Sequence, residues 1–190
     1  MTLKELVLKN RSYRRFHQEV TVDLETLKQL VDLARLSASG ANHQPLKYIL
    51  SCDPDKNALI FPQLGWAAYL KNWSGPSEGE RPSAYIVILG DKKIRESFSC
   101  DHGIAAQSIL LGATEKGFGG CIIATIRKEG LRQALSIPDH YEILLVLALG
   151  KPKEIVKIEA VKPDGDIKYW RDEAGIHHVP KRSLDEIIVG

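Results

Sequence analysis

Arg11, Arg14 and Arg15 stand within five residues of one another in the stretch Asn10-Arg11-Ser12-Tyr13-Arg14-Arg15-Phe16. A second basic pair, Lys181-Arg182, lies near the other end in Val179-Pro180-Lys181-Arg182-Ser183. Guanidinium groups bind phosphate oxygens through paired N–H donors, so clusters from the two ends could fold together around one phosphate dianion. The formal net charge is only +2 over 190 residues, with a pI of about 8.4. That balance lacks the broad basic stripe that meets a nucleic-acid backbone and points to a smaller anionic ligand. Taken alone, either cluster is more often a solvated basic face than a ligand site.

Other residue groups carry less. Cys52, Cys100 and Cys121 are odd in number and lack any Cys-x-x-Cys pair, which argues against a disulfide framework or a thiolate metal site and predicts reduced, mostly buried thiols. His177 and His178 alternate across an expected strand and point to opposite faces, so they cannot share a metal there. Cys100-Asp101-His102 has the residue types of a nucleophile group, but neighbours at a helix start rarely orient as a triad. Gly117-Phe118-Gly119-Gly120 lacks the spacing of a dinucleotide-binding loop. No metal site is expected.

The elements that would position the basic clusters follow from caps and periodicity. Thr2 and Glu5 have capping-box spacing before Leu3, Leu6 and Val7, predicting a short helix that delivers Arg11. Asp23 caps a second helix, with Leu24, Leu27, Val31 and Ala34 on one face and an end near Ser39-Gly40. A small, amide-rich loop, Ser37 to Pro45, precedes the strand-like Lys47 to Ser51. Between the prolines of residues 52–82, a helix over Gln63 to Asn72 would align Trp66, Tyr69 and Trp73. Ala84 to Leu89 reads as a buried strand, Asp101 to Lys116 as a helix stopped by Gly117, and Gly119 to Ala124 as a strand. Leu131 to Leu135 is a short helix, and Glu142 to Leu149 is the most apolar strand and therefore central. Residues 151–190 form an extended arm over the surface or onto a partner, with Asp172 to Gly175 as a hairpin turn and a last capped helix from Ser183.

The length fits a single domain, residues 1–190, able to build its own core. No apolar run reaches a membrane-spanning length, and no secretory signal opens the chain, so a cytoplasmic protein without nucleic-acid or membrane partners is expected.

In order and spacing, Arg11-Ser12-Tyr13-Arg14-Arg15-Phe16 followed by Ser39-Gly40-Ala41-Asn42-His43-Gln44-Pro45 resembles the paired N-terminal motifs of the nitroreductase-like flavoproteins. The small-residue helix, the Gly119-Gly120-Cys121 strand entry, the apolar strand ending in Leu149-Gly150-Lys151-Pro152 and the terminal Lys181-Arg182 extend the resemblance over nearly the whole chain. It implies an α+β fold with a central, mainly antiparallel sheet flanked by helices and an extended C-terminal arm. It further implies FMN in the interface of a homodimer, reduced by NADH or NADPH and reoxidised, in ping-pong order, by a small planar acceptor such as a nitroaromatic or quinone.

Residue by residue, the resemblance assigns Arg11, Ser12, Lys181 and Arg182 to the FMN phosphate and ribityl chain. It places Arg14 near the flavin N1 and C2 carbonyl, where a fixed cation favours hydride arrival at N5. Ser39, Gly40, Asn42 and Gln44 form the loop that reaches the flavin from the other subunit, and the backbone of Ala124 or Thr125 lies near N5. Arg15 receives no role and is expected to be an ordinary surface or interface charge. Asn10 departs from a motif that often begins with two basic residues, Leu46 stands where many relatives carry an aromatic, and residues 52–82 match no motif. Trp66 and Tyr69 are the candidates for a pocket wall there, although an aromatic stripe at helical spacing is more often core or dimer interface. Two other readings remain open: a flavin-binding sensor or carrier without turnover, and a basic adaptor with no ligand.

Overall fold

The computed structural model describes residues 1–190. Eight strands and six helices are arranged as an antiparallel sheet with helices on both faces and a small second sheet at the C-terminal end. The main sheet contains β1 (Phe16–His17), β2 (Leu46–Ser51), β3 (Ala84–Asp91), β4 (Gly119–Ile123) and β5 (Tyr141–Pro152), ordered β1-β5-β3-β2 with β4 also paired to β5. Every pairing in it is antiparallel. All eight residues of β3 are buried, and β5 contacts three other strands, which accounts for its nearly unbroken apolar sequence.

Strand alternation divides the core into two layers. Ile86, Ile88, Leu145, Leu147 and Leu149 face α2 (Leu24–Leu36) and α4 (Asp101–Glu115), whereas Tyr85, Val87, Leu89, Val146 and Ala148 face α3 (Pro54–Ile60) and α5 (Lys128–Leu135). Ile143 breaks the parity and joins the second layer. The β3–β5 register shifts between Ile88 and Leu89, and one extra residue in β5 turns the strand's far end over.

The caps expected from the sequence are present: a complete Thr2/Glu5 capping box on α1 (Leu3–Lys9), Asp23 on α2, and Gly117 in a left-handed conformation (φ 78°) after α4. Ser183 accepts from the Glu186 N–H at the start of α6 (Leu184–Ile187).

The expected helix over Gln63 to Asn72 does not form. The helix of this region is α3, capped by Asp53 with Pro54 in its first turn, followed by a 3₁₀ turn over Phe61–Gln63. Thereafter the chain is pinned in an extended path, because Leu64 bridges Ile126 and the Gly65 N–H donates to the Thr125 carbonyl (2.8 Å). A helical continuation would break both contacts. Trp66, Tyr69 and Trp73 therefore share no helix face.

The C-terminal arm has extended stretches but folds into a sheet of its own. β6 (Val156–Ala160) runs parallel to β8 (His177–Lys181), and β7 (Trp170–Arg171) pairs antiparallel to β8 across the Asp172–Gly175 turn. In that turn Asp172 Oδ1 accepts from the Ile176 N–H (2.8 Å), and Gly175 has φ 78°.

Gly119 and Gly120 serve close packing. Ser12 forms a parallel bridge with Gly120, and the Tyr13 N–H donates to the Gly120 carbonyl (3.0 Å). A Cβ on Gly120 would lie 2.5 Å from the Ala148 carbonyl oxygen, which as backbone cannot yield. Gly120→Ala is expected to lower unfolding free energy by about 2 to 3 kcal/mol in denaturant titration. Gly103→Ala, where a Cβ meets nothing within 4 Å, should be neutral or stabilising by up to about 1 kcal/mol.

Candidate functional site

After α1, successive side chains from Ser12 to Arg15 turn to opposite sides. Ser12 and Arg14 line a cleft, whereas Tyr13 packs over Gly119 and Arg15 turns to Glu80. The segment is held by Glu154, just beyond β5, whose side chain is 1% exposed. Its Oε1 accepts the Arg14 N–H (2.5 Å) and the Arg15 N–H (3.3 Å), and its Oε2 accepts from the Arg171 guanidinium on β7 (2.9 Å). One carboxylate thus joins the N-terminal segment, the exit of β5 and the C-terminal hairpin.

The cleft this creates encloses about 320 Å³. Arg11, Ser12 and Arg14 approach from one side, and His177 and Lys181 from β8. Gln107 on α4 and Ile122 on β4 form part of the lining, and no carboxylate does. The two basic clusters at opposite ends of the sequence therefore meet. Arg11 also caps α1, its Nε donating to the Asn10 carbonyl (2.7 Å) and its Nη2 to that of Val7 (2.8 Å). Arg14 Nη1 donates to the Ser12 carbonyl (3.2 Å), and its guanidinium lies 4.9 Å from the centre of the Tyr169 ring.

The adjacent histidines behave oppositely. His177 is 1% exposed; burial, reinforced by Arg14, Arg171 and His178, pushes its pKa down to about 4, so the ring is neutral. His178, on the other face, lies between Asp172 Oδ2 (3.1 Å) and Glu159 Oε1 (2.7 Å), and these carboxylates raise its pKa.

Arg15 is more than an ordinary surface charge. It grips Glu80 with two donors (2.6 and 2.5 Å), and Lys153 joins at 3.0 Å. The triad ties the loop before β3 to the N-terminal segment.

The Ser39–Gln44 loop lies outside the basic cleft of its own chain. Ser39, Gln44 and Asp101 line a separate cavity of about 230 Å³. Asp101 holds the loop, accepting from Ser39 Oγ (2.6 Å) and the Gly40 N–H (3.0 Å). Ala41, Asn42 and Gln44 have φ of 47°, 57° and 51°, a concentration of left-handed non-glycine backbone that is costly to maintain. Ala124 and Thr125 are exposed just past β4, beyond the cleft-lining Ile122. Arg182 lies outside the cleft, paired with Glu186 one helical turn on. Trp66 is partly buried beside Phe61, their ring centres 5.8 Å apart. Tyr69 is exposed and stands next to the cleft, 4.9 Å from the Tyr169 ring. Among the thiols only Cys121 is fully buried; Cys52 is partly exposed and Cys100 exposed.

Gln107, Glu154, Tyr169 and the structural part of His177 escaped sequence reasoning. Gln107 lay in a plain helix pattern, and Glu154 meets partners 140 and 139 positions away.

Residues 7–151 match the model of the Nitroreductase family. A putative NADH dehydrogenase/NAD(P)H nitroreductase of Methanothermobacter thermautotrophicus is 29% identical over 160 residues, spanning 81% of this chain and 79% of that protein. Among solved structures, a nitroreductase family protein of Streptococcus pneumoniae TIGR4 superposes with a TM-score of 0.72 over the whole of both chains at 18% identity. An FMN-dependent nitroreductase of Clostridium difficile R20291 does so at 0.63, covering 80% of this chain and 88% of its own at 24% identity.

The Arg15–Glu80–Lys153 triad makes a signed pH prediction. Hydrogen bonding from Arg15, with Lys153 behind it, lowers the Glu80 pKa from 4.5 to about 2. Its contribution is full above the unfolded value and disappears as pH falls through the folded one. Denaturant titrations should find Glu80→Gln less stable than wild type at pH 7, with the gap closing between about pH 4.5 and 2. A gap independent of pH would contradict this assignment.

Proposed function

The chain belongs to the nitroreductase family and is an oxidoreductase, and on that premise we propose that its basic cleft holds FMN, reduced by NADH or NADPH and reoxidised by a small planar acceptor such as a nitroaromatic or quinone. The observation that carries this reading is the meeting of Arg11, Ser12, Arg14 and Lys181 in a cleft that no carboxylate lines. Such a donor set suits a phosphate dianion joined to a polyhydroxyl chain and a heterocycle. A cation wall without acidic neutralisation keeps its charge for a ligand.

In this reading Arg11, Ser12 and Lys181 hold the phosphate and the first ribityl hydroxyls. Arg182 would join them only by leaving Glu186, and an exposed pair of this kind is worth little, so the exchange is inexpensive. Arg14 presents its guanidinium to the pyrimidine end of the ring. When bound, FMN supplies the hydride-transfer chemistry; the protein binds it, orients it and sets its local field. No side-chain acid or base is required for that division of labour.

The Ser39–Gln44 loop and the backbone of Ala124 and Thr125 complete the site in a homodimer, the loop serving the cleft of a second copy. Two features support this arrangement: the loop lies outside its own chain's cleft, and Leu3, Leu33 and Leu36 leave apolar surface exposed on α1 and α2.

The purified protein is expected to be yellow, to bleach anaerobically on addition of NADH or NADPH, and to regain colour with a quinone or nitroaromatic. Arg11→Ala combined with Lys181→Ala should weaken FMN binding by about 100-fold or more, each change removing a charge-assisted contact. A protein that holds flavin but stays oxidised would be a carrier or sensor. Unchanged flavin retention in the double variant would overturn the phosphate assignment.

A further inference from the structure

His177 is a poor choice for the fold alone. It sits in β8 with 1% exposure, and its ring packs 5.1 Å from that of Tyr169. Its Nε2 lies 3.3 Å from Arg14 Nη1, contributed from 163 positions away. A guanidinium can only donate, so Nε2 is the acceptor and the ring proton resides on Nδ1. Nδ1 is buried and has no hydrogen-bond partner. The imidazole therefore satisfies one nitrogen by leaving the other an unpaired buried donor, which destabilises the native state. A phenyl ring would fill the same space against Tyr169 without that penalty.

What the imidazole supplies is control of Arg14. Glu154 fixes the Arg14 main chain, Tyr169 lies against its guanidinium face and the buried Cys121 thiol is close by, while the Ser12 carbonyl and His177 accept from its N–H groups. Because His177 is neutral, it can accept this bond while flanked by two guanidiniums. We infer that His177 is a positioning residue that aims the Arg14 guanidinium into the cleft, kept there at the expense of fold stability. The inference rests on the proposed flavin site and assigns its electrostatic tuning to a residue that acts through Arg14.

Five proteins test it: wild type, His177→Phe, His177→Gln, Arg14→Ala and the His177→Phe/Arg14→Ala double variant that closes the cycle. His177→Phe should keep or raise the Tm of the FMN-free protein. It should weaken FMN binding about tenfold, the loss expected for one hydrogen bond to a charged group, and move the midpoint potential of the bound cofactor negative. His177→Gln, whose amide oxygen reaches the position of Nε2, should return affinity and potential toward wild type. In the Arg14→Ala background His177→Phe should add nothing.

A lower Tm for His177→Phe would overturn the claim that the histidine works against the fold. Unchanged affinity and potential in His177→Phe, or equal losses with and without Arg14, would overturn the positioning role while leaving FMN binding by the wild type intact. A wild-type protein that binds no FMN would overturn the flavin reading and this inference together.

Discussion

A single buried carboxylate holds this structure's two ends together. Removing Glu154 from water costs several kcal/mol, recovered only when both oxygens are well supplied with donors. Oε1 receives two consecutive backbone N–H groups and Oε2 a guanidinium, so the site is well satisfied. Its geometry fixes more than its own neighbourhood. Two successive N–H groups directed at one oxygen set the register of Arg14 and Arg15, and the Ser12–Gly120 bridge sets it from the other side. The glycine pair at residues 119–120 is needed because a Cβ on Gly119 would meet the Tyr13 ring and Pro152, and one on Gly120 the Ala148 carbonyl and the Leu110 and Leu149 side chains.

From that register follows a sorting of charge. Arg15 goes to Glu80, a carboxylate it shares with Lys153. Arg14 goes to the other side, where Arg11 and Lys181 join it and no carboxylate does. Neighbouring residues of one type thus divide into one paired with a carboxylate in a structural group and one whose guanidinium is left for the cleft. The histidine pair repeats the pattern: His178 is held by two acids on one face of β8, and His177 is kept neutral beside two guanidiniums on the other.

Local chemistry was legible in the sequence. Thr2, Asp23, Gly117 and the Asp172–Gly175 turn act through neighbours a few positions away, and the long apolar run of β5 declares its centrality directly. Over residues 61–73 three aromatics at helical spacing suggest a helix, but the Asp53-Pro54 start signal begins the true helix nine residues earlier. The partners that decide the matter, Thr125 and Ile126, are remote in sequence. Within the site, the basic residues were visible by type, but their sorting was not. Arg182 reads like Lys181 until Glu186 is seen to hold it, and Glu154 looks like one more charge in a polar stretch until burial shows that it meets both ends.

The ratio of FMN to riboflavin affinity, in wild type and in Glu154→Gln, tests most directly the claim that this carboxylate assembles a phosphate-binding cleft. The two ligands share the ring and ribityl chain and differ in the phosphate, so their ratio isolates what Arg11, Ser12 and Lys181 contribute. A wild-type preference for FMN of about 100-fold or more is expected, collapsing toward unity in the variant. A wild-type ratio near one, or a large ratio that survives the substitution, would contradict it.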